Sequence, residues 1–295
     1  MAWHKIDSTC FFSCKFPQHP LTIADSLIST IAKDRAGWAC QIRSNMQRKV
    51  HAVGRTDIGR VRSTNQDSML VDNESGLFVV ADGMGGHAGG EIASRICIEQ
   101  VKREVATRID PDLAKNVKSH PDAALLNALA NSINYASARI YEHSLEDPSL
   151  RGMGTTATVV KIVDDYAYCA HVGDSRFYLV RSGFIYQLTF DHSLVNEQVR
   201  AGILTPEEAE VHHLKNVITR SVGYQEEEDV DTLCVHLEKG DLLVLCSDGL
   251  HGKINDAELS QIANKRGTAA VAELVDLAND RGGEDNITLI MAEVR

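Results

Sequence analysis

Two apolar runs in this chain end alike, and they constrain its fold more than any other feature. Leu77-Phe78-Val79-Val80-Ala81 runs into Asp82-Gly83, and Leu242-Leu243-Val244-Leu245-Cys246 runs into Ser247-Asp248-Gly249. A short continuous apolar run bounded by a turn signal reads as a buried strand. A hydrophobic core has no use for a carboxylate at the tip of such a strand. The glycine beside it is expected to let the backbone come close to whatever the carboxylate holds. Two tips so far apart in sequence can converge on one rim and bind a hard cation through oxygen.

The pattern around these runs indicates how they are arranged. After Asp82 a glycine-rich turn leads into a helix predicted over about 90–109, with Ala93, Ile96, Cys97, Val101 and Val105 at helical spacing. A second helix follows Pro121, with Leu125, Leu129, Ile133, Ala136 and Ile140 on one face. Both stripes read as core faces. The period then shortens. Segments 157–163 and 166–172 are joined by Asp164-Asp165, and 177–180 and 184–188 around Ser182-Gly183. Connections this short make antiparallel hairpins. Segments 232–236, 241–246 and 286–293 supply further strands, with helices over about 256–264 and 268–280 between the last two. Antiparallel strands in number, with helices inserted in pairs, predict a layered α+β fold rather than a doubly wound parallel sheet.

Residues 1–50 differ from the rest. They hold both tryptophans, Trp3 and Trp38, and end in a basic run over 43–49. They are expected to be an N-terminal extension, with residues 51–295 as the functional domain. Cys10, Cys14, His4 and His19 are too loosely spaced to read as a zinc site. The net charge of -11 argues against a nucleic-acid footprint, which needs a basic face. No run approaches the roughly 18 apolar residues of a membrane span. Phe11-Phe12 is followed at once by Ser13, so no secretory signal is expected. Cys97, Cys169, Cys234 and Cys246 stand in apolar surroundings, as buried free thiols do. A cytoplasmic monomer without disulfides is the expectation.

Several motifs compete. Gly83-Met84-Gly85-Gly86-His87-Ala88 fits a dinucleotide fingerprint between strand and helix. A second helix and hairpins follow it instead of a parallel strand, and Asp82 would face the pyrophosphate with like charge. No Gly-Lys-Ser/Thr occurs, so a P-loop is excluded. An aspartyl-phosphate enzyme of the haloacid-dehalogenase type needs a second Asp where Met84 stands. Carboxylates at element boundaries form the stronger constellation: Asp67, Asp82, Asp174, Asp248 and Asp285. If the strand after Asp285 runs antiparallel to those before Asp82 and Asp248, these three share a rim. Such a cluster repels itself unless cations occupy it, and its oxygen ligands select Mg²⁺ or Mn²⁺ over zinc.

These residues, in this order, resemble the metal-dependent serine/threonine phosphatases of the protein phosphatase 2C type, bacterial branch. The resemblance runs from about Thr56 to the C-terminus. It rests on Thr56 to Arg62, Asn65-Gln66-Asp67-Ser68, Ala81-Asp82-Gly83-Met84-Gly85-Gly86 and Gly154-Thr155-Thr156. It continues through His171 to Arg176, Asp191-His192-Ser193, Asn216 to Arg220, Ser247-Asp248-Gly249-Leu250 and Asp285-Asn286-Ile287-Thr288. It implies a four-layer αββα sandwich, two central antiparallel sheets flanked by helices, with a dinuclear metal centre at one end. It also implies that Asp82 bridges two Mn²⁺ or Mg²⁺ ions, with the Gly83 carbonyl on one and Asp248 and Asp285 on the other. Asp174 would share a third, weaker ion with Asp248. Asp67 and Gln66 would act through metal-bound water, and Arg62 would grip the substrate phosphate by its planar fork.

Gln66 stands where many members carry Glu, which removes a charge. Met84 stands where animal-type members carry a histidine proposed as general acid, which leaves His192 or metal-bound water for that role. His192 is also a candidate substrate-binding residue. Segment 191–223 resembles a flap beside the active site, in which Thr205-Pro206-Glu207-Glu208 reads as a helix start. Val199, Ile203 and Leu204 are expected to pack it onto the body. The implied activity is hydrolysis of phosphoserine and phosphothreonine in proteins, opposing a serine/threonine kinase. The alternatives are a non-catalytic module binding phosphoproteins or partners, and a phosphatase of small phosphates.

Overall fold

The short turns at Asp164-Asp165 and Ser182-Gly183 do close hairpins, and around them two antiparallel sheets form. The structure, a computed structural model, describes residues 49–86, 88–109 and 120–295. The expected extension, with Cys10, Cys14, His4 and His19, lies outside the described residues apart from positions 49 and 50. In chain order the first elements are β1 (Val50–Asp57), β2 (Asp67–Asp72), β3 (Leu77–Met84), α1 (Gly89–Arg108) and α2 (Ala123–Glu146). Then come β4 (Gly154–Thr155), β5 (Ala157–Val163), β6 (Tyr166–Val172), β7 (Arg176–Arg181) and β8 (Phe184–Gln187). Two short helices follow, α3 (Leu194–Arg200) and α4 (Pro206–Glu210), before β9 (Asp231–His236) and β10 (Leu242–Cys246). The last elements are α5 (Asp248–His251), α6 (Asp256–Arg266), α7 (Ala270–Asp280) and β11 (Ile287–Val294).

One sheet has the order β1-β11-β10-β7-β8, and the other β2-β3-β5-β6-β9 with β4 on the end of β3. Every pairing is antiparallel. The apolar runs lack alternation because both faces of each strand are covered. In β3, Phe78 and Val80 point between the sheets, while Leu77, Val79 and Ala81 point to α1 and α2. In β10, Leu243 and Leu245 point between the sheets, while Leu242, Val244 and Cys246 meet the layer of α5, α6 and α7. Three apolar cores thus stack as helix, sheet, sheet, helix. The predicted helical stripes are buried, Ala93, Cys97, Val101 and Val105 on α1 with Ile96 half-buried, and Leu125, Leu129, Ile133, Ala136 and Ile140 on α2. Each fully buried Leu or Ile contributes about 1.5–3 kcal/mol of transfer free energy.

The α2 start is set by Asp122, whose side chain accepts from the Ala124 and Leu125 amides. The α4 start is a capping box of Thr205 with Glu208 and a proline in the first turn, as the sequence predicts. The packing of this segment differs from expectation. Val199 and Leu204 are half-buried, but Ile203 is 68% exposed, and the fully buried apolar contacts come from Val195 and Ala209. The reason is spacing: Val195 lies on the first turn of α3 facing the body, whereas Ile203 falls in the turn between two short helices.

Candidate active site

Strand direction gathers the boundary residues at one end of the sandwich. In the first sheet this rim holds the end of β1, the start of β11, the end of β10 and the start of β7, because Asp57 pairs with Ile287 and Cys246 pairs with both Leu289 and Arg176. Asp285 therefore stands before β11, Asp248 just after β10, and Asp174 just before β7. In the second sheet Asp67 and Asp82 face each other directly across β2 and β3. The rim argument from antiparallel strands holds, with one change: Asp82 arrives from the opposite sheet to Asp248 and Asp285, so the site straddles both sheets.

Electrostatics report the convergence. Burial first, then the charges of Asp67, Asp248, Asp174 and Asp285, push the Asp82 carboxyl well above the usual carboxylate range. Burial and the Asp248 charge raise Asp67 to about 6, against the hydroxyls of Thr288 and Ser247 that favour its ionised form. Burial and Asp285 raise Asp248 to about 6, and burial with Asp248 and Asp191 raises Asp174 to about 8. A carboxylate among carboxylates holds its proton because like charges cannot all be borne in so small a volume.

The cluster is braced by polar side chains with no assigned role in the sequence reading. Asp67 Oδ2 accepts from Ser247 Oγ at 2.8 Å and Thr288 Oγ1 at 2.6 Å, both from the other sheet. Asp82 is held through its backbone, its amide donating to Thr156 Oγ1 at 2.9 Å and its carbonyl accepting from the Thr156 amide at 2.8 Å. Asn286 pins the loop between β1 and β2: its Nδ2 donates to the Ile58 and Thr64 carbonyls at 2.9 and 3.0 Å, and its Oδ1 accepts from the Gln66 amide at 2.7 Å. That loop carries Arg62, whose guanidinium donates to Asp285 Oδ2 at 2.8 Å. The signal for these partners was adjacency, since Ser247 and Asn286 each sit next to a cluster carboxylate.

The two tip glycines also make room for the chain's own backbone. A Cβ on Gly83 would lie 2.1 Å from the Gly90 carbonyl oxygen and 2.5 Å from that of Gln66. A Cβ on Gly249 would lie 2.0 Å from the Asn286 carbonyl oxygen. Each glycine admits a neighbouring backbone segment of this same chain, and so sets how closely the carboxylates approach. Gln66 sits in that packing: its carbonyl accepts from the Gly83 amide at 3.1 Å and from Ser94 Oγ at 2.6 Å.

His192 packs beside the Gly173–Asp174 turn. It is 4% exposed, its Nδ1 accepts from the Gly173 amide at 3.0 Å, and its Nε2 faces Asp231 Oδ2 at 3.2 Å. Both ring nitrogens thus have partners inside the protein. Next to it, Asp191 takes three hydrogen bonds of 2.7–3.1 Å from Arg176. Burial alone would raise Asp191, but the guanidinium outweighs it and leaves the carboxyl below its ordinary value.

Divalent cations fit this donor set. The available ligands are all oxygen, from carboxylates and the Gly83 carbonyl, which suits hard cations. Asp67 Oδ1 is buried without a hydrogen-bond partner among the described residues, an unmet acceptor of the kind a cation-ordered water would satisfy. Among the described residues no three His, Cys, Asp or Glu side chains are already closed as a ligand group. Asp248 and Asp82 perturb one another's charge, and Arg62 donates to Asp285.

A layered αββα sandwich with an aspartate-lined rim across its two sheets defines a class of metal-dependent phosphatases. This chain belongs to the protein phosphatase 2C family, whose model matches residues 52–287. It is 40% identical over 245 residues to the protein phosphatase PhpP of Streptococcus pneumoniae, covering 81% of this chain and 95% of that one. Its fold is similar to the serine/threonine phosphatase of S. agalactiae, with a TM-score of 0.74, 38% identity, and coverage of 83% of this chain and 100% of that one. It is similar also to the catalytic domain of the serine/threonine protein phosphatase PstP solved in complex with two manganese ions. There the TM-score is 0.71 and the identity 32%, covering 83% of this chain and 98% of that one.

Proposed function

We propose that this protein serine/threonine phosphatase removes phosphate from phosphoserine and phosphothreonine at the rim described above, with Asp82, Asp248, Asp285 and the Gly83 carbonyl holding two Mn²⁺ or Mg²⁺ ions and Asp174 a third. The observation that carries the reading is the meeting of five aspartates from two sheets at one end of the sandwich, with Asp67, Asp82, Asp174 and Asp248 raised by burial and by neighbouring charge. The two manganese ions in the PstP complex support two cations here. When bound, the cations supply Lewis-acid charge that activates a water and stabilises the phosphoryl oxygens.

The chain's own residues do the rest. Asp82, facing Asp67 across β2 and β3, is fixed by Thr156 on its backbone and so presents its carboxylate at one place. Asp67, held by Ser247 and Thr288 through one oxygen, keeps the other for orienting water. Arg62, half-exposed on the loop pinned by Asn286, turns from Asp285 to the substrate phosphate, where its fork meets two oxygens. Because phosphoryl transfer asks little covalent chemistry of the protein, positioning and charge stabilisation carry the rate. Met84, which pairs with Gly154, stands in the place of the animal-type histidine and has no proton to donate. The leaving-group proton is therefore assigned to water.

The substrates are phosphoproteins of a serine/threonine kinase together with that kinase, and the setting is a cytoplasmic monomer. No helix among the described residues is long and apolar enough to cross a membrane. Asp82→Ala and Asp248→Ala test the reading: each is expected to abolish phosphopeptide turnover at saturating Mn²⁺ with circular dichroism unchanged. Near-normal turnover in either would overturn it. Tight phosphopeptide binding by the unaltered chain without turnover would support the non-catalytic module instead.

A further inference from the structure

We propose that His192 is a positioning residue for Asp174: Asp231 holds its ring in one tautomer, and the ring in turn fixes the Gly173 amide beside that carboxylate. The inference rests on the reading of Asp174 as a cation ligand.

The tautomer follows from the partners. A backbone N–H can only donate, so the Gly173 amide at 3.0 Å requires an unprotonated Nδ1. The ring hydrogen is then on Nε2 and points to Asp231 Oδ2 at 3.2 Å. Arg220 Nη1 lies 3.4 Å from the same Nε2, and two donors cannot bond each other. Its bonds go instead to Asp231 Oδ1 at 3.1 Å and the Asp229 carbonyl at 3.2 Å. Asp231 thus shares its two oxygens between the histidine and the arginine, an arrangement that fixes the orientation of the ring.

The Gly173–Asp174 turn is gripped from every side. The His192 amide donates to the Gly173 carbonyl at 2.8 Å, so ring and backbone of one residue clamp one glycine. Gly173 has φ +110°, and a Cβ there would lie 2.6 Å from Thr156 Cγ2, so the turn is pressed against the residue that holds the Asp82 backbone. Beyond it, His251 Nε2 donates to the Asp174 carbonyl at 3.0 Å. Of these contacts the His192 ring is the one side-chain bond to Gly173, and so the one a substitution can remove alone.

Two isosteric variants separate positioning from bulk structure. His192→Asn places an amide oxygen where Nδ1 stands and retains the bond to Gly173. His192→Gln places an amide nitrogen where Nε2 stands, retains the bond to Asp231, and leaves Gly173 unbonded. Mn²⁺ binding to the full chain is measured by calorimetry, with Asp174→Asn as reference, beside kcat and KM for a phosphopeptide. His192→Gln is expected to weaken the lowest-affinity Mn²⁺ class roughly tenfold or more, as loss of an outer-shell partner does. Asp174→Asn should do the same, and His192→Asn should restore most of the binding. Equal Mn²⁺ isotherms for the Gln and Asn variants, with the reference variant impaired, would overturn the positioning role. If Asp174→Asn itself binds Mn²⁺ like the unaltered chain, the ligand reading of Asp174 is what fails, and the positioning role falls with it. Should His192→Gln not fold, Asp231→Asn, whose side chain is 47% exposed, carries the same test with the same expected weakening.

Discussion

Gly249→Ala tests whether close backbone approach sets the geometry of the site. The added Cβ would stand 2.0 Å from the Asn286 carbonyl oxygen and 3.0 Å from its carbon. A tolerable C···O contact is about 3.3 Å, so the two segments must part by roughly 1.3 Å. Neither yields easily. Asn286 is anchored by three hydrogen bonds of 2.7–3.0 Å, and Ser247, two residues before Gly249, is tied to Asp67 and Thr288. Asp248 and Asp285 directly precede the two clashing residues, so the displacement falls between these carboxylates. Overpacking of this kind costs about 1–3 kcal/mol. For a domain of this size each of those lowers Tm by roughly 2–4 °C. The functional cost is larger, because metal-ligand distances tolerate only about 0.2 Å and a misplacement of about 1 Å can cost 10²-fold in rate. The assay is a melt in EDTA, a Mn²⁺ isotherm and phosphopeptide turnover, with Gly86→Ala as control. An added Cβ at Gly86 meets nothing within 4 Å, so that variant should stay within about 0.5 kcal/mol of the unaltered chain. If Gly249→Ala matches the control in all three measurements, the close-approach argument is wrong.

Without divalent cation, stability should fall as pH rises from about 4 to 8. Asp67 and Asp248 keep protons to about 6 and Asp174 to about 8 in the folded chain, while the unfolded chain has released them near its ordinary value of 3.8. The folded state binds more protons across that window, so the slope of unfolding free energy with pH is negative. Melts in EDTA at pH 5.5 and 8 check the sign, and Mn²⁺ should restore Tm most at pH 8. A Tm in EDTA that rises across the window would contradict the cluster's electrostatics. Arg62→Ala should leave Tm nearly unchanged, since a half-exposed ion pair contributes about 0–1 kcal/mol. It should lower kcat/KM on a phosphopeptide by roughly 10–100-fold, the equivalent of one charged hydrogen bond, with the Mn²⁺ isotherm retained. Unchanged kinetics would remove the arginine from the site.

The candidate site was legible where chemistry interrupts a period. Asp82 and Asp248 stand out because each ends a run of five apolar residues, and Asp285 because a strand begins just after it. What stayed hidden depends on pairing between distant segments. β1 and β2 were not read as strands, because Val50–Asp57 is an edge strand in which only Ala52 is buried. The grip of Ser247 and Thr288 on Asp67 spans 180 and 221 residues of sequence and crosses between sheets, so no local pattern encodes it. The backbone neighbours of the two tip glycines are hidden too, since a sequence does not say which distant stretch of itself a glycine lets approach. The partners of His192, Gly173 and Asp231, lie 19 and 39 residues away, so its place in a motif says nothing of what its ring touches.

The position of the rim explains why the braces cross from one sheet to the other. The core between the sheets ends where Phe78, Val80, Leu245 and Ile290 give way to the aspartates. At that end the raised carboxyls of Asp67, Asp82 and Asp248 mean that ionisation opposes folding. Directional bonds must therefore set the spacing there: Ser247 and Thr288 to Asp67, and Asn286 to the loop that leads into β2. These are short hydrogen bonds that fail within a fraction of an ångström, whereas apolar packing tolerates small slides. The carboxylates thus inherit a sharply defined separation from bonds that touch neither substrate nor one another's ligands. A cation bound among them would relieve the repulsion those bonds must otherwise withstand, and so would add to the stability of this end of the sandwich.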